Sequence, residues 1–179
     1  MNPAMLRPAI FLDRDGTLIH DTGYIRDWRQ VEIITGVGEA LRKVQDFYPL
    51  IFISNQSGIG RGIITDEEAR QVHERTVELL ADWQIRLDGV YYCPHVPDDH
   101  CVCRKPAPGL LLQAALDMQI DLARSIMIGD KPSDIQAGKA AGCRTVFFLS
   151  NDSSVGCREA DLIAHDWDEI ADWILHIGD

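Results

Sequence analysis

The stretch AIFLDRDGT, residues 9–17, decides the fold of this chain. Its first four residues form a short apolar run that predicts a buried strand, and two acids, Asp13 and Asp15, follow at the exit of that strand. If the backbone stays extended there, residues two positions apart point the same way, so the two carboxylates lie together. Paired carboxylates repel each other unless one is protonated or a cation lies between them, and Mg²⁺ takes oxygen ligands of this kind. The alternative is an ordinary turn, because Asp15-Gly16 is good turn chemistry.

Beyond this stretch, short apolar runs alternate with helical patterns. The further strands are predicted at residues 50–53, 89–92, 125–128 and 145–149, with a possible short one at 162–163. Helices are predicted around residues 37–47, 65–83, 110–118, 133–141 and 167–175, the second of them starting on a capping box at Thr65. This alternation predicts an α/β fold, a doubly wound, Rossmann-like parallel sheet covered by helices on both faces. Ligands bind beyond the carboxyl ends of such strands, so the residues that follow each strand are the candidates for function.

Polar groups follow two more of the predicted strands. Ser54 begins a glycine-rich segment that offers hydrogen-bond donors to an anion, although a flexible loop explains it equally well. Asp130 follows Gly129 after the fourth strand, and Asp134 comes a helical turn later, where it either caps the helix or supports the site. Asp13, Asp15 and Asp130 can converge on one cation if the first and fourth strands are neighbours. The sequence therefore predicts a Mg²⁺ site conditional on that strand order.

The third strand leads into a segment rich in metal-ligating side chains, at about residues 93–103. Cys93, His95, Cys101 and Cys103 are four soft or imidazole ligands within eleven positions, which suits tetrahedral zinc filled entirely by protein, hence a structural site. Disulfides are the alternative, and His100 is a spare imidazole that could replace His95. Arg104 and Lys105 follow at once, so a zinc-bound loop would hold two cations that suit a phosphate.

Composition limits the classes of partner. The 179 residues favour a single domain over residues 1–179, and 17 Lys and Arg against 28 Asp and Glu give a net charge of −11. That balance argues against nucleic acid and anionic membranes, which need clustered basic residues. No stretch approaches the roughly 18 apolar residues of a membrane span, and the start lacks the long apolar region of a signal peptide. We therefore expect a cytoplasmic protein, in which the odd number of five cysteines makes a disulfide framework unlikely.

Taken together, the segments resemble the haloacid dehalogenase superfamily of phosphohydrolases. Its signature, in order, is Asp-x-Asp-Gly-Thr at residues 13–17, a strand-end hydroxyl at Ser54, a lysine at Lys105, and Gly-Asp-x-x-x-Asp at residues 129–134. The longer matches at residues 10–17, 55–62, 92–95 and 103–109 resemble the heptose bisphosphate phosphatases within it. That resemblance implies a minimal cap, with the zinc-bound loop in its place. It also implies a small phosphorylated sugar, D-glycero-D-manno-heptose 1,7-bisphosphate, as the substrate that loses its 7-phosphate.

The resemblance further implies a role for each site residue. Asp13 would attack phosphorus and form an aspartyl-phosphate, and Asp15 would exchange protons with the leaving oxygen and the hydrolytic water. Mg²⁺ would be bound by the side chains of Asp13 and Asp130 and by the backbone carbonyl of Asp15. Ser54 and Lys105 would hold the phosphoryl oxygens, with Arg104 on the substrate. The remaining substrate contacts implied are Asp21, Thr22, Gly23, Tyr24, Asn55, Gln56, Ser57 and Lys131.

Two other functions stay open on the sequence. The gap of five residues between His95 and Cys101 is similar to that of the histidinol-phosphate phosphatases, which share the first motif and the metal loop. The second alternative is a zinc-stabilised binding module without catalysis, against which the full set of Asp13, Asp15, Lys105 and Asp130 speaks. We expect a monomer in either enzyme.

Overall fold

The computed structural model describes residues 6–149 and 157–177, which form one parallel sheet and its covering helices. Within these residues the strands are β1 (Ile10–Leu12), β2 (Leu50–Asn55), β3 (Gly89–Cys93), β4 (Ile126–Gly129), β5 (Arg144–Phe148) and β6 (Leu162–Ala164). The helices are α1 (Val37–Val44), α2 (Ser57–Gly60), α3 (Asp66–Asp82), α4 (Gly109–Met118), α5 (Pro132–Ala141) and α6 (Trp167–His176). Three short 3₁₀ turns lie at Trp28–Gln30, Pro97–Asp99 and Leu122–Arg124. The predicted α/β class is confirmed.

The strand order creates the site. The sheet runs β3-β2-β1-β4-β5-β6, all parallel, so β1 lies between β2 and β4. The chain builds outward from β1 to β3 on one side and then crosses to β4 on the other, which opens a crevice at the carboxyl ends of these strands. Leu12 pairs with Ile128 in register, so the residues that follow β1 and β4 leave the sheet side by side. The adjacency of the first and fourth strands, on which the predicted cation site depended, is confirmed.

Each strand of the sheet centre buries side chains on both faces. In β1, Ile10 and Leu12 pack with α1, α3 and α6, whereas Phe11 packs on the opposite face with α4 and α5. Burial on both faces explains why the central strands are continuous apolar runs without polar alternation. The rigid sheet thus supports the polar residues that follow it.

The boundaries of the helices follow local chemistry. Thr65 accepts a hydrogen bond from the Glu68 amide, and the Glu68 carboxylate accepts one from the Thr65 amide, so the predicted capping box is present. Gly142 ends α5 in the left-handed conformation. No sequence pattern predicted α2, a single turn inside the glycine-rich segment after β2. No helix in the described part of the chain has the length and apolar character needed to cross a membrane.

Candidate active site

A cluster of buried carboxylates lies where β1 and β4 end. Asp13 directly follows β1, Asp130 follows β4, and Asp134 lies in the first turn of α5. One oxygen from each of the three lies within 4.8 Å of the others, so one ion can contact all three. Asp13 and Asp134 are almost fully buried, with 5% and 1% of their surface exposed. The structure therefore brings two of the predicted ligands, Asp13 and Asp130, together and adds Asp134.

Two glycines allow these carboxylates to approach so closely. A Cβ on Gly16 would lie 2.2 Å from Oδ2 of Asp130, and Gly16 also has a left-handed φ of 86°. A Cβ on Gly129 would lie 2.3 Å from the Asp134 side chain. Any other residue at either position would displace a carboxylate of the cluster.

Lys105 provides the positive charge inside the cluster. Its ammonium nitrogen lies 2.5 Å from Oδ1 of Asp13, 2.7 Å from Oδ1 of Asp134 and 2.8 Å from the carbonyl of Ile53, so all three of its protons have acceptors. The Asn55 side chain holds the Lys105 backbone with two hydrogen bonds of 3.0 Å, one donated and one accepted. Asn55, predicted as a substrate contact, thus positions Lys105.

The electrostatics of the cluster fit a divalent cation. Burial raises the pKa of Asp13 to about 7 against the attraction of Lys105, and the neighbouring carboxylates of Asp134, Asp130 and Asp15 raise it further. Burial also raises the pKa of Asp130, to about 6, with Lys131 opposing and Asp134 adding repulsion. Oxygen ligands that repel one another in a buried site are the donor set that a hard cation such as Mg²⁺ stabilises.

The carboxylate of Asp15 does not join this cluster. It accepts two 2.9 Å hydrogen bonds from the guanidinium of Arg14 and one of 2.9 Å from the amide of Gln56. Burial opposes its ionisation, but the charge and hydrogen bonds of Arg14, the bond from Gln56 and the charge of Lys131 together hold the pKa of Asp15 below its ordinary value. The predicted pairing of the Asp13 and Asp15 carboxylates required extended backbone through both residues, but β1 ends at Leu12, and Asp13 groups with Asp130 and Asp134 instead. The predicted ligation by the backbone carbonyl of Asp15 stays a prediction.

Two residues of this site escaped sequence reasoning, and a third, Asp134, fills both of the roles predicted for it. Arg14 was only the variable position of the motif, yet it is 2% exposed and pairs with Asp15. His73 was assigned no function, yet its Nδ1 lies 3.2 Å from Nη1 of Arg14. A signal for His73 was available, since it shares the apolar face of α3 with Ala69, Thr76 and Leu80. Asp134, predicted to cap the helix or support the site, accepts from the Lys131 amide at 3.0 Å and pairs with Lys105.

A cleft of about 530 Å³ reaches the cluster through Lys105, which lines the cleft and pairs with Asp13 and Asp134. Nine of the ten predicted substrate contacts line this cleft: Asp21, Gly23, Tyr24, Asn55, Gln56, Ser57, Arg104, Lys105 and Lys131. The tenth, Thr22, does not line it. Ser54 is buried at the end of β2, and its oxygen accepts a 2.6 Å hydrogen bond from Gln56. Its own proton therefore remains available to another acceptor.

Two basic side chains stand at the rim of this cleft. Lys131 donates to Asp21 at 3.0 Å; burial opposes its charge, but the acids around it, Asp130 first, raise its pKa above the ordinary value. Arg104 donates through Nη1 to the carbonyl of His95 at 3.1 Å, which ties it to the loop after β3. The lining of the cleft thus carries the basic side chains of Arg104, Lys105 and Lys131 beside the acids Asp15 and Asp21.

The loop after β3 brings the ligand atoms of the four predicted zinc ligands close to one another. The Sγ atoms of Cys93, Cys101 and Cys103 lie 3.1–3.6 Å apart, and Nδ1 of His95 lies 3.4 Å from Cys93 and 3.3 Å from Cys103. All five cysteines are free, so the disulfide alternative is wrong. A Zn–S bond of about 2.3 Å implies tetrahedral S–S separations near 3.8 Å, so a small outward shift seats one zinc ion. The loop packs on the site through Gln56, whose backbone N–H donates to the Cys93 carbonyl at 2.7 Å.

Comparison with known proteins agrees with this geometry. A HAD-hydrolase-like family model matches residues 102–175. D-glycero-beta-D-manno-heptose-1,7-bisphosphate 7-phosphatase of Yersinia pestis is 41% identical, over 94% of this chain and 90% of the relative. The protein of that name from Escherichia coli K12 is also 41% identical, over 94% and 88%.

Solved structures give the same answer. The D,D-heptose 1,7-bisphosphate phosphatase from B. bronchiseptica, complexed with magnesium and phosphate, superposes with a TM-score of 0.84 at 28% identity, over 96% of this chain and 99% of that one. A putative HAD-like phosphatase from Mesorhizobium loti superposes with a TM-score of 0.82 at 32% identity, over 95% and 85%. The carboxylate cluster, the cysteine loop and this identity over nine-tenths of the chain lead to one conclusion: the protein belongs to the family of D-glycero-beta-D-manno-heptose-1,7-bisphosphate 7-phosphatases, among the HAD hydrolases.

Proposed function

We propose that this protein is a Mg²⁺-dependent phosphatase that removes the 7-phosphate of D-glycero-D-manno-heptose 1,7-bisphosphate through an aspartyl-phosphate on Asp13. The observation that carries the proposal is the position of Asp13, which is paired with Lys105, a residue that lines the cleft, and lies beside Asp130 and Asp134. The names of the relatives support the substrate, and the magnesium and phosphate in the B. bronchiseptica structure support the chemistry.

The first half of the reaction transfers the phosphoryl group to the protein. An Asp13 oxygen attacks phosphorus while the bond from phosphorus to the sugar oxygen breaks, and Asp15 gives that oxygen a proton. Mg²⁺, held by Asp13, Asp130 and the backbone carbonyl of Asp15, with Asp134 close by, would offset the negative charge that gathers on the phosphoryl oxygens. Arg104 and Lys131 at the rim suit the second phosphate of a bisphosphate.

Of the two residues expected to hold the phosphoryl oxygens, Lys105 and Ser54, only Lys105 would change partners in this step. Lys105 has no spare proton, so contact with a phosphoryl oxygen requires it to release one of its present acceptors. Ser54 needs no such exchange, because its proton is free to donate to that oxygen.

In the second half, water attacks the aspartyl-phosphate, Asp15 takes a proton from that water, and inorganic phosphate leaves with Asp13 restored. The lowered pKa of Asp15 suits this basic role, because the carboxylate is ionised before water arrives. For the first half Asp15 must carry a proton, and the negative phosphate entering the cleft favours that form.

The substrate is tested by phosphate release in the presence of Mg²⁺. The two anomers of heptose 1,7-bisphosphate and histidinol phosphate are compared at equal enzyme concentration. We expect kcat/KM for one of the heptose anomers to exceed that for histidinol phosphate at least tenfold. The reverse order would establish histidinol-phosphate phosphatase, the candidate that the five-residue gap between His95 and Cys101 favours. Release from none of these esters would favour the zinc-stabilised binding module.

We also propose that the protein acts as a cytoplasmic monomer with zinc in the loop, within a single domain over residues 1–179. Free thiols on all five cysteines suit a reducing compartment. The net charge of −11 speaks against nucleic acid and anionic membrane partners. Light scattering coupled to gel filtration tests the monomer, and cell fractionation tests the location.

A further inference from the structure

The buried guanidinium of Arg14 pairs with the carboxylate of Asp15. Its Nε and Nη2 each donate a 2.9 Å hydrogen bond to a different oxygen of Asp15. A planar guanidinium that binds both oxygens fixes the plane of the carboxylate as well as its position. The orientation of Asp15 therefore depends on the orientation of Arg14.

Arg14 is itself held by two further side chains. Nη2 donates to Oε1 of Gln56 at 2.9 Å, and Nη1 lies 3.2 Å from Nδ1 of His73. Of the five N–H donors of a guanidinium, four thus have acceptors: Nε, both of Nη2 and one of Nη1. Gln56 also binds Asp15 directly, whereas His73 touches Arg14 alone among these polar groups.

The ring of His73 is fixed in both position and tautomer. It is 7% exposed and packs against the rings of Phe52 and Tyr92, at centroid distances of 5.3 and 5.1 Å. Since a guanidinium only donates, Nδ1 of His73 must accept, which places the ring proton on Nε2. Burial, together with the charge of Arg14, lowers the pKa of His73 to about 3, so the ring is neutral near pH 7.

We propose that His73 is a positioning residue of the phosphatase, whose Nδ1 holds Arg14 so that Arg14 presents the Asp15 carboxylate for proton exchange. The inference rests on the proposed function of Asp15. It assigns to α3, a helix outside the cleft lining, a part in the reaction. Buried positions of this kind are most often apolar, so burial on this face of α3 does not by itself call for an imidazole.

The proposal is tested with the variants His73→Leu and His73→Asn. Leu keeps an apolar side chain but removes the acceptor, whereas Asn can place its amide oxygen where Nδ1 lies. Each is assayed on heptose 1,7-bisphosphate, on glycerol phosphate and on p-nitrophenyl phosphate, whose leaving group departs without a proton. We compare kcat/KM, which reports the steps up to departure of the leaving group.

For His73→Leu we expect kcat/KM on the alkyl phosphates to fall about tenfold or more, a fraction of the 10²–10⁴-fold that general acid catalysis typically contributes. The fall on p-nitrophenyl phosphate should be several times smaller, and Asn should restore most of the loss. Thr76→Val is the matched control, because Thr76 is buried on the same face and donates only to the Val72 carbonyl. This control should lower kcat/KM equally on all three substrates or leave it unchanged on all of them.

Equal losses on all three substrates in His73→Leu, or no loss, would overturn the positioning role. The wild-type protein gives a second test that needs no variant: ¹⁵N NMR should show a neutral ring protonated on Nε2, and protonation on Nδ1 would also overturn it. Activity on glycerol and p-nitrophenyl phosphates without activity on the heptose would instead contradict the proposed substrate, and the comparison between those two esters would still decide the role of His73.

Discussion

Replacing Lys105 with Met should lower the free energy of unfolding, measured without divalent cations, by about 3–5 kcal/mol, the usual cost of removing one partner of a buried ion pair. Met has a similar length and keeps the packing of the aliphatic stem. It removes the ammonium group that contacts Asp13, Asp134 and the Ile53 carbonyl. Lys105 is 3% exposed, so water cannot replace it without opening the site.

The pH dependence of this loss follows from Asp13. With Lys105 present, the pKa of Asp13 is already raised to about 7 by burial, and without that charge it rises further. A carboxyl with a raised pKa in the folded state costs stability as pH rises from its unfolded value to its folded one. In the parent protein that cost is complete near pH 7, whereas in the variant it continues to grow. The difference between the two should therefore widen above about pH 7.

The assay is urea unfolding followed by tryptophan fluorescence in EDTA, with the melting temperature as a second reading. At about 2–4 °C per kcal/mol for a chain of this size, the melting temperature should fall by about 6–20 °C. Added Mg²⁺ should stabilise the variant more than the parent, because the cation then meets uncompensated carboxylates. Lys139→Met is the matched control; its exposed pair with Asp161 spans 3.7 Å, so it should change stability by less than about 1 kcal/mol. Equal stability of the two variants in EDTA would refute the reasoning.

Four further predictions concern single groups. Asp13→Asn should abolish phosphate release while leaving the circular dichroism spectrum unchanged, and activity like that of the parent would remove its role as nucleophile. Asp15→Asn should lower kcat about 10²–10⁴-fold; an unchanged pH–rate profile would contradict its role in proton exchange. Purified protein should hold about one zinc per chain, measured by mass spectrometry of metals, and a metal-free parent would refute the site. Cys103→Ser should lose that zinc. It should also lose most of the activity, because Arg104 and Lys105 directly follow Cys103. The pKa of His73 is lowered from 6.5 to about 3 in the folded protein. Between those pH values the unfolded chain binds a proton at His73 that the folded protein does not, so the free energy of unfolding declines as pH falls from about 6.5 toward 3. His73→Leu should therefore lose less stability on acidification than the parent.

Much of the fold could be predicted from the sequence because short apolar runs mark its central strands. The runs at 9–12, 50–53 and 126–128 are apolar on both faces, which predicts central strands of a parallel sheet. The strand order was not readable, since periodicity says nothing about which strands pair. The meeting of Asp13 with Asp130 therefore became certain only when β4 proved to lie beside β1.

The site was predictable where a residue's position depends on its own strand and not where it depends on distant partners. Asp13 and Asp130 follow their strands as expected, whereas Ser54 lies within β2, which extends to Asn55. The direction of Asp15 depends on Arg14 and Gln56, and that of Arg14 on His73, 59 positions away. Lys105 and Asp134 pair across 29 positions, from the loop after β3 to α5. Contacts of this kind arise from packing, for which a single sequence carries no local pattern.

Gly16 and Gly129 bear on how this chain can vary during evolution. Neither has a functional group, yet a single carbon atom added at either position would overlap the side chain of a carboxylate in the cluster. Purifying selection should therefore act on them as strictly as on Asp13 itself. A saturation library scored for activity would show two positions intolerant even of alanine, and an alignment of functional sequences would show them invariant for a steric rather than a chemical reason.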